Sequence, residues 1–140
     1  MTETVDSLFE GSLERYKAGE EVTTLIPAFK EVCDRAPKSS AAWACLAWLY
    51  MLDNKPSPAY KAAQKAVKLN PQDAQSRVNL ALAMLENETK GVREHIDIAM
   101  QLIMIDDEVK GEIKQSIADG LSRKPGWKSL ERVNKWLFEV

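Results

Sequence analysis

The sequence predicts an all-α protein built from stacked helical hairpins, and three observations support this prediction. Apolar residues recur with helical spacing, as in Leu46, Leu49 and Tyr50, rather than alternating as they do in a strand. Six glycines and six prolines among 140 residues interrupt these apolar stretches. The position of these interruptions also repeats, because Pro37 and Pro71 stand 34 residues apart. A repeated pair of helices explains all three features.

The first hairpin is predicted at about residues 5–38. Gly19 supplies the turn between its two helices, since glycine accepts turn conformations that other residues avoid. The inner positions of the two helices are held by Leu8, Ser12, Leu13, Leu25, Phe29 and Val32.

The second hairpin, at residues 40–73, is the most regular of the set. The inner stripe of its second helix is Ala59, Ala62, Ala63, Ala66 and Leu69. We expect Ser57 to cap that helix, with Pro58 at the first helical position, where a missing N–H costs no hydrogen bond. Pro71 then ends the helix and leaves Asp73 to cap the next one.

The large and small residues of this second hairpin follow a known order. The order begins with a tryptophan, Trp43, followed by a Leu-Ala pair, Leu46 and Ala47, and a tyrosine, Tyr50. It continues with two alanines seven residues apart, Ala59 and Ala66, and ends with a proline, Pro71. The segment resembles one tetratricopeptide repeat, whose pattern this is. The resemblance implies a right-handed α-solenoid that binds other chains, with Trp43 and Tyr50 in structural positions.

The third hairpin is predicted at about residues 74–105, which gives three tetratricopeptide-like hairpins. Leu80 and Ala81 fall 34 residues after the Leu-Ala pair of the second hairpin. Its later part is less regular, because Met104 stands where a proline is expected. The inner stripe of its second helix is Val92, Ile96 and Ala99.

Two further helices are predicted at about residues 107–121 and 127–139. The acids at 106–108 suit the start of the first one, because carboxylates complement the helix dipole. Its apolar stripe, Ile113, Ile117 and Leu121, can cover the end of the solenoid. We therefore interpret the pair as a capping hairpin and residues 1–140 as one domain.

The resemblance places a binding site on the concave face, which the first helix of each repeat lines. In the second and third repeats, the lining positions include Ala44, Trp48, Met51, Gln75, Val78, Asn79, Leu82 and Leu85. Most are apolar, so we expect a groove for a partner helix or an apolar peptide. Two alternatives stay open: inner-face packing, and occupation of the groove by the chain's own C-terminal helix.

Some tetratricopeptide proteins grip the C-terminal carboxylates of heat-shock chaperones with lysine, asparagine and arginine. Phe9 and Leu13 stand where the first repeat would offer lysine and asparagine, and Gln75 and Asn79 where the third would offer lysine and arginine. A lone amide cannot replace paired cations on a carboxylate. The sequence therefore disfavours binding of a chaperone tail.

Charge and composition narrow the partner class. A net charge of -2 gives no global attraction to nucleic acid or anionic membranes. Two basic clusters exist, and we interpret them as solvated faces, with docking to an acidic partner or anionic head group as the alternative. They comprise Lys55, Lys61, Lys65 and Lys68, and then Arg123, Lys124, Lys128, Arg132 and Lys135.

The sequence offers few candidate residues for catalysis or metal binding. His95 has no second histidine or cysteine at ligand spacing, and Cys33 and Cys45 are better explained as small buried hydrophobes than as a redox pair. No glycine-rich phosphate loop occurs. The sequence predicts a non-enzymatic protein without cofactor or metal.

The main prediction is thus a protein–protein adaptor or assembly factor. The alternative is a self-associating module that uses its aromatic C-terminal helix, with Trp127, Trp136, Leu137 and Phe138. The N-terminus shows no apolar leader and no apolar run could span a bilayer, so we expect a cytoplasmic protein.

Overall fold

The computed structural model describes residues 3–139, which form eight α-helices and contain no strand. Met1, Thr2 and Val140, at the ends of the predicted domain, lie outside the described residues. The helices are α1 (Val5–Lys17), α2 (Val22–Arg35), α3 (Ser40–Leu52), α4 (Pro56–Leu69), α5 (Ala74–Glu86), α6 (Val92–Ile105), α7 (Asp107–Arg123) and α8 (Lys128–Phe138). The all-α prediction is confirmed.

The first helix of each of the first three hairpins starts with the same kind of cap. In each case, a side-chain oxygen of the N-cap residue accepts a hydrogen bond from the backbone N–H three residues later. The N···O distances are 3.0 Å at Thr4, 3.2 Å at Ser39 and 3.2 Å at Asp73. Such a cap satisfies a donor that the helix leaves without a partner and stabilises it by about 1 kcal/mol. The predicted cap at Asp73 is confirmed.

The turns that follow α1, α3 and α5 also share one geometry. Gly19, Asn54 and Glu88 adopt left-handed backbone conformations, with φ of 89°, 59° and 54°. In each turn the next N–H reaches back to the helix, as Lys55 N does to Tyr50 O at 2.8 Å. This pair of features is the Schellman ending of a helix, and it reverses the chain into an antiparallel hairpin.

The predicted start of α4 was wrong. The helix begins at Pro56, and its N-cap residue, Lys55, makes no side-chain cap hydrogen bond. Ser57 and Pro58 lie inside the first turn. The left-handed residue Asn54 turns the chain early enough for Pro56 to take the first helical position, where its missing N–H costs nothing.

The three hairpins stack side by side, with α5 at the centre of the molecule. The alanines of α4 allow close approach, since Ala59, Ala62, Ala63 and Ala66 are all buried between neighbouring helices. Helix α5 contacts α3, α4, α6, α7 and α8. That environment explains why its residues from Ala74 to Met84 are buried, with the exception of the half-buried Gln75.

The last two helices fold back rather than simply extending the stack. Helix α8 packs on α5, α6 and α7, burying Leu130, Val133 and Leu137. Helix α7 buries Ile113 and Ile117, and its C-terminal half crosses toward α1 and α3. The hairpin therefore covers part of the face that the first helices of the repeats present.

Candidate functional site

Trp48 lies at the centre of the predicted concave face. Its indole Nε1 donates a hydrogen bond to the Tyr16 hydroxyl at 2.9 Å, and its ring packs against Trp127 with centroids 5.5 Å apart. Only 9% of Trp48 is exposed. The side chain thus joins α1, α3 and the residue that precedes α8.

A polar network beside Trp48 connects α1 with α7. The Tyr16 hydroxyl donates to Asp119 Oδ2 at 2.5 Å, and Arg123 Nε donates to the same carboxylate at 2.9 and 3.1 Å. The Arg123 guanidinium also stacks on the Tyr16 ring, 3.8 Å from its centroid. Burial, reinforced by the hydrogen bond to Asp119, raises the pKa of Tyr16 well above its ordinary value, so the phenol stays a donor.

An open cavity of about 180 Å³ lies between α1, α2, α3, α5 and α7. It is lined by Leu13, Tyr16, Phe29, Ala44, Cys45, Trp48, Leu49, Gln75, Asn79, Ser116 and Asp119. An apolar cavity of about 150 Å³ can hold one benzene-sized group. The volume therefore suits a single large apolar side chain.

The amide groups at this cavity have different roles. Asn79 is 1% exposed; its Nδ2 donates to Ala44 O at 3.0 Å, and its Oδ1 accepts from Gln75 Nε2 at 2.8 Å. Asn79 thereby ties α5 to α3. Gln75 is half-buried, so it is the more accessible amide for a partner.

Four of the eight predicted lining residues, Ala44, Trp48, Gln75 and Asn79, meet at this cavity. The other four do not line it. Met51, Val78 and Leu82 are buried in the hydrophobic core, and Leu85 packs against that core.

The turn between α7 and α8 lies against the C-terminal ends of α3 and α5, next to Met51 and Glu86. Lys124 Nζ donates to Met51 O at 3.1 Å, and Trp127 Nε1 donates to Glu86 Oε1 at 2.7 Å. The chain's own C-terminal hairpin thus takes part of the space that the sequence offered to a partner.

Several lining residues were not identified from sequence. Ser116 and Asp119 come from α7, which the sequence assigned to a cap, and Tyr16 faces them from α1. A partial signal existed for Tyr16, because it stands three residues after Leu13 on the same face of a first helix. No local pattern could have paired it with Asp119.

The reactive side chains are held in neutral forms. Burial raises the pKa of Cys45 to about 12, and burial together with Cys45 and Asp34 raises that of Cys33 to about 12. Both thiols stay protonated at neutral pH and are weak nucleophiles. His95 Nδ1 lies 2.9 Å from Arg77 Nη1, and within residues 3–139 no group of three His, Cys, Asp or Glu side chains could hold a metal ion.

No protein-family model matches the sequence, and no curated protein sequence matches it. Among solved structures, the chain is similar to the crystal structure of the Sgt2 TPR domain from Aspergillus fumigatus, with a TM-score of 0.66 and 18% identity. The similarity covers 96% of this chain and 82% of that chain. This chain has a tetratricopeptide-repeat-like fold.

The tetratricopeptide-repeat-like fold agrees with the resemblance seen in the second hairpin. Ala47, Ala59 and Ala66 are buried at helix contacts, and Trp43 Nε1 donates to Pro37 O at 2.9 Å, which ties α3 to the preceding turn. Phe9, which stands where the first repeat would offer a clamp lysine, packs against Phe29, with ring centroids 6.0 Å apart.

Within the described part of the chain, no helix is long and apolar enough to cross a membrane.

Proposed function

We propose that this protein is a non-enzymatic adaptor that binds a partner protein on its concave face. In this proposal, the partner inserts one large apolar side chain into the cavity beside Trp48. The observation that carries the proposal is the open apolar cavity of about 180 Å³, at which four predicted lining residues meet. Side chains that are buried in pockets of this kind commonly contribute most of the binding free energy of an interface.

The proposed contact is shorter than the groove that the sequence alone suggested. Because the α7–α8 turn lies beside Met51 and Glu86, a long partner helix along α3 and α5 would have to displace it. A short segment with one apolar anchor needs no such displacement. The half-buried Gln75 amide can then hydrogen-bond the backbone of that segment.

A cavity-filling substitution tests this proposal. Ala44→Leu adds bulk to a residue that lines the cavity, whereas Ala41→Leu adds the same bulk to an exposed position of the same helix. Wild-type and variant proteins would be used to capture a partner from the native cell, and affinity for that partner would then be measured. We expect Ala44→Leu to lose the partner while Ala41→Leu retains it.

Thermal unfolding must accompany that measurement, and both variants should keep the melting temperature of the wild type within a few degrees. Equal capture by the two variants would contradict the cavity as the binding site. Ala44 is also buried, but it faces open volume that a leucine side chain can enter. Trp48→Ala and Leu82→Lys are poorer tests, because the first deletes a ring that contacts Tyr16 and Trp127 and the second places a charge in the core.

The alternative of self-association through α8 has less support. Trp127 and Leu137 are buried, Phe138 is half-buried, and Trp136, with 36% exposure, is partly covered by the Arg132 guanidinium 5.0 Å away. These residues therefore do not form a broad exposed apolar patch. Sedimentation at several concentrations checks the alternative, which predicts a dimer that Trp136→Ser disrupts.

A further inference from the structure

A second apolar groove lies on the outer side of the stacked hairpins, between α2, α3 and α4. Its open volume is about 490 Å³. The lining residues of α3 are Trp43, Leu46 and Tyr50, which share one helix face because they stand three and seven residues apart. Trp43 and Tyr50 are both half-buried, so parts of their rings remain accessible.

Positive charge surrounds this apolar surface. Lys30 on α2 and Lys61 and Lys65 on α4 line the groove, and all three are exposed. Asp34 is the one carboxylate among the lining residues, so the groove carries more positive than negative charge. Helix α4, from Pro56 to Leu69, contains no acidic residue that could neutralise its lysines.

Among the residues that the structure describes, these three lysines form no ion pair. Within residues 3–139, no carboxylate lies within 4.0 Å of Lys30, Lys61 or Lys65. By contrast, Lys55 pairs with Asp53 at 3.2 Å. The groove thus offers exposed aromatic surface and uncommitted ammonium groups at one place.

We propose that this outer groove binds an acidic segment of a partner protein that also carries apolar side chains. Carboxylates of the segment pair with Lys30, Lys61 and Lys65, and its apolar side chains pack on Trp43 and Tyr50. Charge complementarity of this kind speeds association and selects the partner. The site is separate from the concave cavity and stands independently of the function proposed there.

The recess favours a protein segment over other polyanions. Leu46, in the floor of the groove, is only 3% exposed, and a flat layer of lipid head groups reaches such a floor poorly. The net charge of -2 opposes binding of a long nucleic acid. A short peptide can enter the recess and meet the lysines at the rim.

Two synthetic peptides test the proposal with the whole 140-residue chain. In one, glutamates alternate with leucine and phenylalanine; in the other, glutamines replace the glutamates. Affinity is measured by fluorescence anisotropy, and the indole N–H signal of Trp43 is followed by NMR. We expect the glutamate peptide to bind and shift that signal, and the glutamine peptide to bind at least about tenfold more weakly.

Matched charge-reversal variants locate the binding. The groove variant carries Lys30→Glu, Lys61→Glu and Lys65→Glu. A control with the same change in net charge reverses three exposed lysines elsewhere, at Lys90, Lys110 and Lys128. We expect the groove variant to lose about tenfold or more in affinity, because three attractive pairs become repulsive, and the control to lose much less.

Four outcomes would overturn the proposal. The first is equal affinity for the two peptides, and the second is an equal loss of affinity in the two charge-reversal variants. The third is binding to phosphatidylserine vesicles, but not to the peptides, that the groove variant abolishes; the surface would then be a membrane contact. The fourth is self-association in sedimentation that the groove variant abolishes; the occupant would then be a second copy of the chain. Because all six substituted lysines are exposed, circular dichroism should show every variant folded.

Discussion

The Tyr16 hydroxyl on α1 donates a hydrogen bond to Asp119 on α7, which lies 103 residues later in the chain. Arg123 strengthens this contact, because it pairs with Asp119 and donates from Nη2 to Tyr16 O at 2.9 Å. The first and seventh helices are thereby joined across the concave face. Tyr16 and Asp119, which make this contact, both line the cavity beside Trp48.

The first prediction concerns that contact. Tyr16→Phe removes the donor to Asp119 and the acceptor for Trp48 Nε1 in a partly buried site. Asp119 keeps its pair with Arg123, whereas the indole N–H loses its acceptor. We expect the free energy of unfolding to fall by about 1–3 kcal/mol. Urea denaturation followed by circular dichroism measures the change.

Tyr60→Phe serves as the control, since Tyr60 is also half-buried but lies outside the network. It should change the free energy of unfolding by less than about 0.5 kcal/mol. Similar losses in the two variants would argue against a stabilising network at Tyr16.

The second prediction uses two glycines of α7. A Cβ atom at Gly120 would lie 2.7 Å from Leu130 Cδ2 and 2.8 Å from Trp48 Cη2, whereas a Cβ at Gly111 would meet nothing within 4 Å. Gly120→Ala should therefore destabilise the protein by about 1–3 kcal/mol through overpacking. Gly111→Ala should stabilise it by about 0.5–1 kcal/mol, because alanine favours an exposed helix.

The opposite signs make this pair a sharp test of the α3–α7–α8 contact. Thermal and urea unfolding of both variants measure the effects. If Gly120→Ala were as stable as Gly111→Ala, the close approach of Trp48 and Leu130 to α7 would be wrong.

The third prediction concerns the left-handed turn residues. Glu88 has a side chain in a conformation with φ of 54°, which is costly for residues other than glycine and asparagine. Glu88→Gly should raise the free energy of unfolding by about 1 kcal/mol. Asn54→Gly should gain less, because asparagine tolerates this conformation, and a larger gain at Asn54 would contradict the explanation.

The fourth prediction concerns pH. Burial, and then the positive charge of Arg77, lower the pKa of His95 below 6.5, and Glu94 opposes this only in part. The unfolded chain consequently binds a proton at His95 more readily than the folded protein does. The contribution of His95 to stability is present above the unfolded pKa of about 6.5 and is lost as pH falls below it.

Urea unfolding at about pH 7.5 and about pH 5.5 measures this effect. The wild type should lose more stability between these values than His95→Gln, which cannot gain the proton. Equal losses would show that His95 is not held neutral beside Arg77.

Local signals in the sequence accounted for the helices. Asp73 and Asp106 cap α5 and α7 as predicted, since each side-chain oxygen needs only the backbone N–H groups two or three residues ahead. Pro71 follows the end of α4 for an equally local reason. The start of α4 was missed because the left-handed turn at Asn54 competed with the cap expected at Ser57.

By itself, the sequence determined the class of the fold, because helical periodicity and the repeated large and small residues are properties of neighbours along the chain. Only the tertiary structure decided which part of the concave face stays open. That outcome depends on where α7 and α8 pack, and hence on contacts such as Tyr16–Asp119 and Trp48–Trp127. Side chains so distant in sequence meet only once the hairpins have stacked, and no spacing along the chain encodes their meeting.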